Sequence, residues 1–184
     1  MTIGTKTIIG IIAVAVLPWG GMMYSEENPR RWPNGEIVVG VDSMLMGELS
    51  YANRLVSDSI EAWNNSLPES VKVRFVRQRP NDISNHINGN QKLIVGCWLG
   101  IARKCGRTKL GFNPTASRIT MIELNMAPHC RSRLKAVLMH ELGHSLGLEH
   151  VNTHTLMNYQ PDRQISKPTK HDIKRVVELY SEVQ

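Results

Sequence analysis

A mixed α/β domain of the α+β class is the fold this sequence predicts, on three observations. The chain has 184 residues, enough for one domain with a real hydrophobic core. Short β-branched or alternating runs are interleaved with one amphipathic segment in the first two thirds. Two segments of helical periodicity then close the chain, giving the order strand, helix, three or four strands, two helices.

Taken in order, the polar stretch 25–35 (SEENPRRWPNG) contains two prolines and leads into the domain. Residues 25–30 are assigned as linker and 31–184 as the domain. Ile37 to Val41 (IVVGV) is β-branched and predicts a strand. Leu49, Ala52, Leu55, Val56, Ile60 and Trp63 follow helical spacing, so a helix is expected over about 50–66, ended by Pro68. In VKVRFV, Val71, Val73 and Phe75 alternate with Lys72 and Arg74, the pattern of a half-buried strand. KLIVGCW (92–98) is a further strand, and GRTKLGF (106–112) a short edge strand after a loop. RITMIELN (118–125) has apolar side chains on both faces and belongs inside the sheet. Leu134, Val137, Leu138, Leu142 and Leu146 spread around most of a helix, which therefore is buried. In PTKHDIKRVVELY, Thr169 caps a last helix and Asp172 is an acidic variant of the capping-box partner.

The N-terminus differs. Thr7 to Tyr24 carries no charge, Lys6 precedes it, and Ile8 to Leu17 is a compact apolar run. Residues 1–24 read as a signal peptide or an N-terminal membrane anchor. The expected location is secreted, or membrane-attached through residues 7–24 with the folded part outside the cytosol. Export permits a disulfide. Of Cys97, Cys105 and Cys130, the first two flank a short loop and are the expected pair, leaving Cys130 over, just before the buried helix. The formal charge is +6, yet the basic residues are scattered and few aromatics lie among them, so no specific nucleic-acid site is expected.

Three of the seven histidines lie in HELGHSLGLEH, residues 140–150. His140 and His144 stand one helical turn apart on one face, as two imidazoles must to bind one metal ion. Glu141 lies beside such an ion, placed to take a proton from a water there. His150 is too far along a continuous helix to join them. Gly147 resolves this, because glycine tolerates the positive φ that ends a helix and turns the chain back. Three nitrogen ligands leave a position open, the mark of a catalytic zinc site.

This motif fits the metzincin pattern H-E-x-x-H-x-x-G-x-x-H at every fixed position, and the chain resembles a matrixin-type catalytic domain over about residues 31–182. RWPNGEIVV, the SIEAWN helix and the closing helix with its aspartate carry the resemblance too. It implies a twisted, mostly parallel five-stranded sheet packed on two helices, with a small C-terminal subdomain ending in a helix. It implies Met157, in TLMNY, as the methionine turn. It implies a monomeric zinc metalloendopeptidase cutting protein or peptide substrates, with one catalytic Zn²⁺ and Glu141 as general base. Tyr159 resembles the tyrosine of astacin-like relatives that steadies the transition state. Leu110, Gly111 and Phe112 are the candidate edge-strand residues for pairing with substrate. The other reading of the same site is a catalytically silent, zinc-containing protein that grips peptide or cell-wall material.

Matrixins also carry pro-segments with a zinc-blocking cysteine. Residues 25–30 are too few for one and no cysteine precedes Cys97, so that latency is not expected. Residues 97–118 contain no His, Asp or Glu, so the family's structural zinc site is not expected, and structural Ca²⁺ has no support in the sequence.

Overall fold

A computed structural model describes Trp32 and residues 35–78, 91–101, 103–112, 118–159 and 165–181. The expected leader 1–24, the linker 25–30 and His86 lie outside the described residues, as does 160–164 of the segment after the methionine turn. Five strands form one sheet: β1 (Gly35–Val41), β2 (Val73–Arg77), β3 (Gln91–Trp98), β4 (Gly106–Phe112) and β5 (Arg118–Asn125), in the order β2-β1-β3-β5-β4. β1 runs parallel to β2 and β3, β3 runs parallel to β5, and only β4 is antiparallel to its neighbour. The helices are α1 (Ser43–Glu48), α2 (Ala52–Ser66), α3 (Pro128–Arg131), α4 (Leu134–Ser145) and α5 (Lys170–Ser181). α1 and the single turn of α3 were not legible as periodicity, since six and four residues are too short to show a period.

Alternation decides which face of the sheet is buried. Ile37, Val39, Val73, Phe75, Leu93, Val95, Ile122 and Leu124 form the inner face. α2 and α4 lie side by side against it, α2 over β1 and β2 and α4 over β4 and β5. Trp63 of α2 joins them: its indole N–H donates to Met139 O at 3.0 Å. Asn64 binds the middle of β2 as a peptide would, donating to Phe75 O at 2.7 Å and accepting from Phe75 N at 2.9 Å. On the opposite face Glu123 holds Arg107 and Lys109 at 2.6 and 2.8 Å. The capping box of α5 forms as its sequence implies. Asp172 N donates to Thr169 Oγ1 (3.3 Å), while Thr169 N and Oγ1 donate to Asp172 Oδ2 (2.9 and 2.6 Å).

The expected cysteine pair is corrected. Cys105 is bonded to Cys130, with Cα atoms 5.3 Å apart, and Cys97 is free. The reason is strand order. Cys97 and Gly106 are each in register with Leu124 of β5, from opposite sides. Neighbours in a sheet are about 4.8 Å apart, so β5 keeps Cys97 and Cys105 about 9 to 10 Å apart, beyond what a disulfide spans. The short loop between the two cysteines suggested that they meet, but β5 lies between β3 and β4. Cys130 is fully buried in the bridge, so it is no blocking thiol. Burial raises the Cys97 thiol pKa, with Glu48 and Asp42 acting in the same direction. Closing a loop of this length stabilises a fold by about 3 to 4 kcal/mol. The Cys105→Ser, Cys130→Ser variant is expected to lose stability on that order in a denaturant titration. Thiol titration of the native protein is expected to find none reactive, and one per chain after unfolding without reductant.

Candidate metal centre and active-site cleft

α4 is buried almost all round, so the polar groups it carries must face either a partner or the one opening left to it. That opening is a cleft of about 1060 Å³ between α4 and the start of β4. His140, His144 and Glu141 project into it. α4 ends at Ser145 with Leu146 as its C-cap, and Gly147 adopts φ +98°. Gly147 N donates to His144 O and Leu148 N to Gly143 O, both at 3.0 Å, the paired bonds of a Schellman turn. The reversal carries His150 back toward the helix, as the sequence required.

The three imidazoles converge. His140 Nε2 and His144 Nε2 lie 3.0 and 3.1 Å from His150 Nε2. Their other nitrogens fix the tautomers. His140 Nδ1 lies 2.7 Å from Leu156 O and His144 Nδ1 lies 2.8 Å from Leu148 O. A carbonyl only accepts, so each Nδ1 carries the hydrogen and each Nε2 presents a lone pair. His150 Nε2 has at most one hydrogen to offer two lone pairs, so the cluster is complete only around a cation. Burial keeps His140 and His144 neutral, the latter with its pKa pushed down to about 4 with His140 beside it. Burial and then Lys104 lower His150 as well. Three neutral nitrogens at these spacings fit Zn²⁺, since bonds of about 2.0 to 2.1 Å in a tetrahedron put ligand nitrogens about 3.3 Å apart.

Glu141 is buried beside the cluster. Thr108 of β4 donates through Oγ1 to Glu141 Oε2 at 2.6 Å and reaches Glu141 O at 3.1 Å. A Cβ on Gly106 would meet Val137 and the Glu141 side chain, so the glycine leaves room for the carboxylate. Burial pushes the Glu141 pKa up to about 7, while Thr108 and Lys104 oppose that shift. Leu110, Gly111 and Phe112 lie further along β4, paired with Thr120, Ile119 and Arg118, on the strand that ends the sheet. The part of β4 that faces Glu141 is Gly106 to Thr108. Tyr159 lies at the cleft mouth, 68% exposed, its ring 4.6 Å from that of His150. The remaining described histidines, His129, His154 and His171, are exposed.

Below the cluster, Met157 is fully buried. Val151 N donates to Met157 O at 3.0 Å, which closes the turn. Leu156 N donates to Asp172 Oδ2 at 3.1 Å, so the Leu156 backbone links α5 to the His140 ring. Gly143 is where the turn meets the helix: a Cβ there would strike the Met157 sulfur and crowd Trp63. Sequence reasoning missed Gly143, Gly106, Thr108 and this second task of Asp172. A glycine in mid-helix, unfavourable by about 1 kcal/mol against alanine, was the one available signal. Gly143→Ala is therefore expected to destabilise the chain by about 1 kcal/mol or more in a denaturant titration, because overpacking outweighs helix propensity.

The matrixin family model matches residues 52–181, a span holding all of these groups. The structure of myroilysin aligns over 83% of this chain and 83% of its own, at 13% identity and a TM-score of 0.51, a likeness of fold. The GM1-bound form of the ECX AB5 holotoxin aligns over 79% of this chain and 71% of its own, at 14% identity and a TM-score of 0.36. Comparison with curated proteins gives no match. With more than half its length matched by that family model, the chain belongs to the matrixin family of zinc metallopeptidases.

Proposed function

We propose that this chain is a zinc metalloendopeptidase whose ligands are His140, His144 and His150 and whose general base is Glu141. One observation carries the reading: three imidazole lone pairs meet at one point beside a buried carboxylate, at the wall of an open cleft. Zinc, when bound, supplies a Lewis acid that acidifies water and polarises a carbonyl. Glu141 takes the proton of the attacking water on its carboxylate and delivers it to the leaving amine. Thr108 holds one carboxylate oxygen, which fixes the direction of the other. β4 ends the sheet among the described strands, so an extended substrate has a backbone edge to pair with, Leu110 to Phe112 included. Tyr159, exposed beside His150, serves as a donor toward the oxyanion. Asp172 and Met157 act at one remove, by holding the turn that orients His140.

The enzyme acts outside the reducing cytosol, a reading supported by the Cys105–Cys130 bridge. No described helix is long and apolar enough to cross a membrane; residues 7–24 serve either as a cleaved export signal or as the anchor. The chain works as a monomer.

Glu141→Gln is expected to keep one zinc per chain and lose peptidase activity by about 10²- to 10⁴-fold. His144→Ala is expected to lose both metal and activity. Metal analysis and peptide cleavage on the same samples check this. Full activity of a zinc-loaded Glu141→Gln chain would exclude Glu141 as the base. Tyr159→Phe is expected to lower kcat with little change in KM, and an unaltered kcat would leave the tyrosine no catalytic part.

A further inference from the structure

The basic residues looked scattered in sequence, but the fold gathers two of their runs at one end of the cleft. Arg103 and Lys104 arrive from the segment before β4, and Arg133 from the start of α4; all three line the cleft. The Cys105–Cys130 bridge joins these two segments directly, and Asn125 fastens the first, donating to Lys104 O at 3.0 Å. Arg107 lines the same end but is occupied, paired with Glu123 at 2.6 Å and lying over Trp98 at 4.6 Å. Among the described residues, Arg103, Lys104 and Arg133 form no close ion pair, Lys104 reaching Glu141 only through its field, and the buried Nε of Arg133 has no hydrogen-bond acceptor. The acids lining the cleft are Glu141 and Glu149, and Glu149 lies beyond the other end of α4.

The spacing translates into substrate positions. Arg133, Val137 and His140 follow one another along one side of α4. Seven residues at about 1.5 Å each put Arg133 about 10 Å from His140 along the axis. An extended peptide advances about 3.3 Å per residue, so this distance is about three residues.

We propose that the site selects polypeptides carrying aspartate or glutamate about two to four residues to one side of the scissile bond, held by Arg103, Lys104 and Arg133. The proposal rests on the peptidase reading given above and adds the substrate class. Unpaired cations at a partly enclosed cleft wall attract carboxylates more strongly than the same charges spread over a surface, because the wall focuses their field.

The test is a position-scanning peptide library digested by the zinc-loaded full chain, followed by kinetics on matched pairs of peptides. Acidic residues are expected at one position within that range. Replacing that residue by glutamine is expected to lower kcat/KM about tenfold, through KM, with the difference shrinking at high salt. The Arg103→Glu variant, altered only at an exposed side chain, is expected to lose most of the preference while keeping its zinc content and melting behaviour. Arg133→Gln is expected to weaken it as well. Cleavage without acidic enrichment, or an enrichment that survives both variants, would overturn the proposal. If no peptide is cut, the peptidase reading fails and binding decides the rest. Salt-sensitive binding of a labelled acidic peptide to zinc-loaded Glu141→Ala, lost on charge reversal, would support the acidic pocket. Equal binding of the acidic and glutamine peptides would overturn it, and so would binding of single-stranded DNA or heparin with no peptide preference.

Discussion

One residue's backbone, that of Leu156, ties the last helix to the first imidazole of the cluster. Its N–H is fixed by Asp172 of the last helix and its carbonyl accepts the Nδ1 hydrogen of His140. A ring fixed at one nitrogen has its other nitrogen aimed. The orientation of the first imidazole therefore depends on a carboxylate more than thirty residues away in sequence. The same turn drives Met157 under Gly143, where only a hydrogen atom separates helix from sulfur. Helix, turn and final helix form one packed unit, and the convergence of the three lone pairs follows from it.

The two buried carboxylates show how environment assigns roles. Asp172 Oδ2 accepts from Leu156 N, Thr169 N and Thr169 Oγ1, and its work is to hold backbone in place. Glu141 has one hydroxyl donor and a free path into the cleft. Its pKa is displaced upward by burial, so the group sits close to neutrality in its willingness to accept or release a proton. The first carboxylate has three donors on one oxygen and, among the described residues, none on the other, and it holds backbone; the second has a single hydroxyl donor and faces the open cleft.

Much of this was legible in the sequence, for a physical reason. Periodicity reports which face of a local element is buried, so all five strands, α2, α4 and α5 could be read from alternation and helical spacing. The convergence of the histidines was legible too, because His140, His144, Gly147 and His150 lie on one helix and one turn. Strand order was not, since the insertion of β5 between β3 and β4 depends on contacts distant in sequence. That single fact misled the cysteine pairing. It also hid the approach of Gly106 and Thr108 to Glu141, and of Arg103 and Lys104 to Arg133. In each case the residues were visible and their meeting was not.

The Cys105–Cys130 bridge closes a covalent ring that contains the edge strand β4 and its neighbour β5. A single backbone cut anywhere inside a ring releases no fragment. The β4 wall of the cleft is thus the part of the chain that a stray cut, including one made by a second copy of the same enzyme, cannot detach. For a molecule built to break peptide bonds, that closed topology is a form of self-tolerance written into two cysteines.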